Sequence, residues 1–562
     1  MKEIPQWAIP MEPVSEAQIV RTCSADVVIL GAGHAGTAAA RAAAEAGAKV
    51  LVVEQQHEKN FQVFGAQYGS INSKFMKKRG APEADPVEII ADWQRRSLNR
   101  ANPALVRQFA YETGSTFDWF VEPLPEQLKD VMTFENPWPK HFEGELNGYH
   151  NYVGTAIFKN TKFDMSKMGP PPGEEGGQEG PPPEGPHENP LSLTEAVVFT
   201  HQLTKELGAE FVYGITGDYL EKDEAGRVVA LIGHNYKKEY FRFVGKNGII
   251  LAAGDFSGNR QMVMDLLGEY AALTENGEKF PYIPAGRKGK GIQMGLWAGG
   301  KMEPGPRGGM WCCVGGSGGP MDGSAFLRLN KHGKRYTNEG IMGYWGAGLQ
   351  GARQPKGAIY TVWDSNWREE LEYQTLDHTA VDMSDTEALR RIEMQLEKAQ
   401  RMGVDDSYRP QGPPSANMGP NNLLACADTI PELADKLGLT GTDCENFIAS
   451  VARYNELAHK GRDEDFAKDP RQLHPIEKGP FYAFCENARA VGFLMVTVCG
   501  LVVDAHQQVI GKDDEPIPGL YATGNCSGER FPIMYTTPVA GVSIGIAYTL
   551  GRIVGDYVAK HN

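Results

Sequence analysis

The chain has 562 residues, with 56 Lys and Arg against 71 Asp and Glu, for a formal net charge of −15. At roughly 100–200 residues per domain this length implies two or more domains. The acidic balance argues against nucleic acid or an anionic membrane surface as a main partner. No run of roughly 18 apolar residues reads as a membrane span, and MKEIPQWAIPMEPVSEAQIV lacks the charged head and apolar stretch of a secretory signal. The eight cysteines are scattered, with no CxxC or CxxCH spacing, so no metal, cluster or haem site is expected and a reduced, cytoplasmic protein is the simple reading.

The strongest local signal is DVVILGAGHAGTAAARAAAEAGAKVLVVE, Asp26 to Glu54. Val27–Leu30 is a short apolar run fit for a buried parallel strand. Thr37–Ala46 is nearly all Ala, a strong helix former small enough for close packing. Gly47 ends that helix, and Lys49–Val53 reads as a second strand, completing a β-α-β unit. From Gly169 to Pro190, fourteen of 22 residues are Gly or Pro and five are Glu; no regular element is expected in this excursion.

Beyond it, Leu193–Leu207 reads as a helix, and Glu210–Leu220 and Val228–Gly233 as strands joined by a turn at Glu224–Arg227. Asn247–Asn259 is a buried strand running into a Gly-rich turn. A polar helix is expected over Ser384–Arg401, with Ser384 and Glu387 at capping-box spacing. Near the C-terminus, IPGLYATGNCSG and a Gly-spaced helix, Ser543–Val558, return to the texture of the N-terminal unit. This order suits one nucleotide-binding fold interrupted by a second domain: residues 1–304 and 498–562 around an insertion at 305–497.

Gly31, Gly33 and Gly36 form G-x-G-x-x-G between strand and helix. The first allows the tight turn, the second lets a pyrophosphate approach the backbone, and the third permits close helix–strand packing. The helix N-terminus then faces the phosphates. Glu54, about 20 residues on, is placed for ribose hydroxyls and would repel a 2′-phosphate, which favours FAD or NAD over NADP. The further strand-then-Gly segments Ile249–Gly254 and Gly519–Gly524 favour FAD.

Together VVILGAGHAG…E, GIILAAGDFSGN, FLRLNKHGKRYTNE and GLYATGNCSG resemble the fumarate reductase/succinate dehydrogenase flavoprotein family, which includes urocanate reductases and 3-oxosteroid 1-dehydrogenases. The resemblance implies an α/β fold: a Rossmann-like FAD-binding domain with an inserted α+β capping domain, and substrate held over the flavin between them. Carried onto this chain, it implies that Ala32, Ala35 and Gly36 line the pyrophosphate and that Glu54, with Gln55 beside it, holds the ribose. Gly65, Gln67, Ser70 and Asn72 stand beside the flavin, and Ala253 and Gly254 near the adenine side. Gly524, Asn525, Gly541, Ser543 and Ile544 surround the isoalloxazine. Relatives that attach FAD covalently carry a His in the segment matching Gln62–Gln67, where this chain has none, so noncovalent FAD is expected.

Departures from the family narrow the chemistry. Gly343 stands where fumarate reductases place a catalytic Arg, Met495 and Val496 stand in place of a carboxylate-binding His segment, and IMYTTPVAGVSIG lacks their C-terminal Arg. A dicarboxylate needs paired charge-assisted donors, so fumarate and succinate are poor candidates. Like the 3-oxosteroid dehydrogenases, the chain offers Tyr344 and Tyr535, phenols that can polarise a ketone or carry a proton, with a backbone N–H at Gly541–Ser543 to share the oxyanion. The expectation is a neutral, phenol-lined cavity that exchanges hydride with the double bond of a bulky, steroid-like or other enone. An α,β-unsaturated acid bound by Arg530 or Arg489 is the alternative, and an electron-transfer flavoprotein subunit a third. No second G-x-G-x-x-G is visible, so electrons come from or go to an external carrier or partner protein.

Overall fold

The computed structural model describes residues 4–130, 132–135, 141, 145–146, 149–158, 192–268, 286–312, 319–321, 323–341, 349–374, 381, 383, 386–407, 422–491, 493–535 and 538–561. The Gly/Pro excursion, Ser384 and Tyr344 lie outside the described residues.

The N-terminal unit forms as its pattern requires. Strand β1 (Ile19–Leu30) leads through Gly31–Gly33 into α1 (His34–Glu45), which returns to β2 (Val50–Glu54). Val27–Ile29 are fully buried, as befits a strand covered on both faces. Later elements are α2 (Pro103–Val121), α3 (Ser192–Glu206), β3 (Glu210–Tyr213), β4 (Thr216–Lys222), β5 (Val228–His234) and β6 (Tyr240–Leu251). The single strand expected over Glu210–Leu220 is therefore two. It breaks at Gly214, whose φ of 75° no extended strand holds.

Strand β6 has three partners. Along its length it runs parallel to β1, from Ile19 opposite Tyr240 to Leu30 opposite Leu251; its first half also continues the antiparallel run β4-β5-β6, and its last residues pair with a later strand. After α4 (Lys290–Trp297), a second sheet is built from β7 (Leu327–Asn330), β8 (Ala358–Trp363), β9 (Leu423–Ala427) and β10 (Phe481–Asn487). It is antiparallel, in the order β7-β8-β10-β9. Alternation along its strands feeds two cores. Ala425, Ala427, Phe481 and Ala483 face one; Leu424, Cys426, Tyr482 and Phe484 face the other.

The chain then returns to the first sheet. Strand β11 (Pro516–Ala522) pairs in parallel with β6, Ile249 opposite Leu520, giving a parallel core in the order β11-β6-β1-β2-β3. Helix α5 (Val542–Lys560) packs on α1. A Cβ at Gly551 would meet the Ala35 carbonyl oxygen at 2.4 Å, and one at Gly555 that of Ala39 at 2.2 Å. The Ala face of α1 and the Gly spacing of α5 are two halves of one close crossing. Carboxyl ends of β1, β6 and β11 thus meet at one edge, the place where open α/β sheets bind ligands.

Candidate active site

At that edge the three glycines do different work. Gly31 has φ of 102°, and a Cβ there would lie 2.5 Å from the Ala252 oxygen; one at Gly36 would lie 1.8 Å from the Gly31 oxygen. Both are packing glycines. At Gly33 a Cβ would meet nothing within 4 Å, so its bare backbone opens onto space just where α1 begins.

Glu54 is buried, and burial raises its pKa, opposed by backbone N–H donors. Its Oε2 accepts from Ala32 N–H at 2.7 Å and its Oε1 from Gln56 N–H at 2.8 Å. Behind the loop, His201 Nε2 lies 3.0 Å from the Ala32 oxygen and 2.8 Å from Thr37 Oγ1. Burial lowers the His201 pKa to about 3, keeping this brace neutral.

A cavity of about 650 Å³ opens here. It is lined by Gly31, Gly33, Ala35, Glu54 and Gln55, by Gly65 and Gln67, and by Ala253 and Gly254. Gly524, Asn525, Tyr535, Gly541, Ser543 and Ile544 complete the part foreseen from sequence. Five nominated residues do not line it. The Ala32 N–H is turned to Glu54, and Gly36 is pressed against Gly31. Ser70 is fully buried, with its N–H donated to the Gly154 oxygen. Asn72, at φ of 64°, exchanges two side-chain hydrogen bonds with the Ala84 backbone and braces a loop instead.

Arg530 is the fifth, and it is not solvated: its Nη1 is buried with no hydrogen-bond partner among the described residues. It is fully buried. Its Nε donates to the Ser527 oxygen at 3.1 Å, and its Nη2 to the Val498 oxygen at 3.4 Å and to Asn525 Oδ1 at 3.0 Å. That last bond fixes the Asn525 amide, leaving its NH2 as the group to meet a ligand. Arg489 also serves the backbone, donating to the Ala352 oxygen at 2.7 Å.

Tyr535 is brought to the cavity wall. It is fully buried, packs edge-on against Phe531 with centroids 4.7 Å apart, and lines the cavity. Its hydroxyl oxygen accepts the Ser543 N–H at 3.0 Å. The expected oxyanion donor therefore serves the phenol. A backbone N–H and the positive end of α5 both favour negative charge on that oxygen. Met310, Met495 and Val496 bring apolar surface to the same cavity.

The FAD binding domain family matches residues 26–542. The chain belongs to that family. It is 23% identical over 559 residues to a vinyl phenol reductase of Lactiplantibacillus plantarum, covering 96% of this chain and 97% of the relative. It is 22% identical over 548 residues to a cytochrome-type fumarate reductase of Shewanella frigidimarina, covering 96% and 77%. Among solved structures, the 3-ketosteroid-Δ4-(5α)-dehydrogenase of Rhodococcus jostii superposes with a TM-score of 0.67 at 19% identity, over 98% of this chain and 100% of that one. The fold is the Rossmann-like FAD-binding domain with an α+β capping domain.

The FAD-binding site fits its cofactor. Gly33 leaves a cradle that any Cβ would fill, with the first-turn N–H groups of α1 behind it for a diphosphate. The Glu54 carboxylate lies on the same cavity for ribose hydroxyls. Sequence reasoning missed Arg287, Lys288, Lys290 and His34, which also line the cavity. The expectation of a neutral cavity is thus not met. The signal was available in Gly286-Arg287-Lys288-Gly289-Lys290-Gly291, a basic, Gly-spaced run at the mouth of α4.

Proposed function

We propose that this protein is an FAD-dependent oxidoreductase that reduces, or forms, a carbon–carbon double bond next to a carbonyl. The reading rests on one observation: a fully buried phenol, Tyr535, on the wall of the FAD cavity, its oxygen held by the Ser543 N–H. The relatives support it, since their names describe redox chemistry at unsaturated carbon. Bound FAD supplies the hydride chemistry.

The chain supplies the rest. Saturating a C=C bond adds a hydride to one carbon and a proton to the other. Tyr535 is set to donate its hydrogen to the carbonyl oxygen, drawing electron density from the double bond as the hydride arrives. Tyr344 remains the nominated carrier of the carbon-bound proton. Met310, Met495 and Val496 exclude water from the reacting carbons. Arg530 positions Asn525.

Noncovalent FAD, an external electron partner and a cytoplasmic setting complete the reading. No helix among the described residues is long and apolar enough to cross a membrane. Acid precipitation is expected to release the FAD into the supernatant; a yellow pellet would show a covalent link. The deciding experiment is anaerobic titration of photoreduced holoenzyme with unsaturated ketones and acids. Stoichiometric flavin reoxidation with formation of the saturated product is expected. A reduced flavin that yields only to protein acceptors would make this an electron carrier.

A further inference from the structure

We propose that Lys238 is an acyl-acceptor site, its amine activated by His234 and Asp218 toward acyl phosphates and acyl thioesters. The inference lies outside the flavin chemistry and does not depend on it.

Lys238 stands in the turn that joins β5 to β6, and Asn235 builds that turn. The Asn235 side-chain oxygen accepts the Lys237 N–H at 2.9 Å and the Glu239 N–H at 3.1 Å, while its amide nitrogen donates to Glu239 Oε2 at 2.7 Å. Along the backbone, the Asn235 N–H donates to the Glu239 oxygen at 3.1 Å and the Lys238 N–H to the Asn235 oxygen at 2.9 Å. Held in this way, Lys238 has φ of 60°, a left-handed conformation that a lysine seldom takes. The turn folds its side chain back over the end of β5, where Nζ lies 3.1 Å from His234 Nε2.

Behind the imidazole is a buried carboxylate. His234 Nδ1 lies 2.5 Å from Asp218 Oδ2 on the neighbouring strand β4, and the Asp218 side chain is 3% exposed. An ionised carboxylate only accepts, so the ring proton is on Nδ1 and Nε2 faces Lys238 as an acceptor. Amine, imidazole and carboxylate thus stand in the order that activates a nucleophile: a base within reach, oriented by a third group.

Other lysines are differently placed. Lys460 Nζ donates to Glu464 at 2.6 Å and Lys560 Nζ to Asp556 at 2.8 Å; a carboxylate partner favours the ammonium, which cannot attack. Lys238 is exposed to an acyl donor, and its partner can take a proton. The ammonium passes one proton to His234, whose charge Asp218 balances. The amine then attacks the acyl carbon: a C–N bond forms, the C–O or C–S bond breaks, and the departing phosphate or thiolate carries off the second proton.

The test incubates full-length holoenzyme at neutral pH with limiting acetyl phosphate, and separately with the thioester S-acetyl-N-acetylcysteamine, and follows site occupancy by peptide mass spectrometry. Lys237 is the internal reference, exposed on the same turn with its Nζ 5.7 Å from the Tyr236 ring centroid. With at least one donor, Lys238 is expected to acetylate roughly 10²-fold faster than Lys237, the lower end of what a positioned base contributes. H234Q should bring the two rates within about threefold of each other, and D218N, which keeps the base and loses its orienting charge, should fall between. Equal rates at Lys237 and Lys238 with both donors in the wild type overturn the proposal, and that comparison needs no variant to fold. So does an H234Q that keeps the native flavin spectrum and the full preference for Lys238, because the imidazole would then be only a neighbour.

Discussion

Replacing Tyr535 by Phe tests the chemistry at its centre. The ring would keep its edge-on packing against Phe531 at 4.7 Å, so the variant loses one hydroxyl and creates no cavity. The structural cost is the Ser543 N–H, left without the acceptor it has at 3.0 Å, about 1–3 kcal/mol of stability. FAD affinity should therefore change by less than about tenfold. Losing a positioned hydrogen-bond donor to the developing oxyanion should slow the chemical step by roughly 10²–10³-fold, equivalent to about 3–4 kcal/mol on the barrier. Stopped-flow reoxidation of photoreduced enzyme by saturating unsaturated substrate measures that step directly. A variant that retains FAD and reoxidises within about fivefold of wild type would refute the role given to Tyr535. A variant whose FAD affinity collapses would show the phenol to be a brace for α5.

The glycines of the phosphate loop should respond differently to substitution. Gly36→Ala places a Cβ 1.8 Å from the Gly31 oxygen and should disrupt the fold around α1, seen as a lowered Tm of the apoprotein. In Gly33→Ala the added Cβ meets no protein atom within 4 Å, so apoprotein Tm should hold while FAD affinity falls; equal FAD affinity would disprove the cradle. Glu303 is buried, and burial pushes its pKa up to about 7. Its folded pKa exceeds the unfolded value, so its contribution to stability is present below about pH 4.3 and lost as pH rises through about 7. Glu303→Gln should flatten the pH dependence of urea unfolding across that window by about 3 kcal/mol; an unchanged slope would exclude it.

What could be read from the chain depended on how far each residue's partner lay. The β1-α1-β2 unit was legible because Gly31, Gly33, Gly36 and the Ala run act on neighbours a few residues away. Tyr535 was legible because its environment is the start of the following helix. Gly214 looked like a strand residue, and only its positive φ reveals the break between β3 and β4. Ser70 and Asn72 matched a family segment, yet the Ala84 backbone turns Asn72 aside. Arg530 resembled a loop arginine, although Ser527, Val498 and Asn525 enclose it. The basic run Gly286–Gly291 marked Arg287 as a candidate, but no local pattern links it to its partners Asp255 and Phe64.

The β6–β11 pairing constrains how the molecule is made. Ile249 waits for Leu520, and the Ala face of α1 waits for Gly551 and Gly555. On a ribosome, β6 therefore emerges with one backbone edge open, and the antiparallel sheet β7–β10 can assemble before its neighbour closes. Such distant pairings make folding slow and leave sticky edges exposed meanwhile. The FAD cavity is accordingly complete only once α5 has docked and brought Tyr535 and Ser543 to its wall.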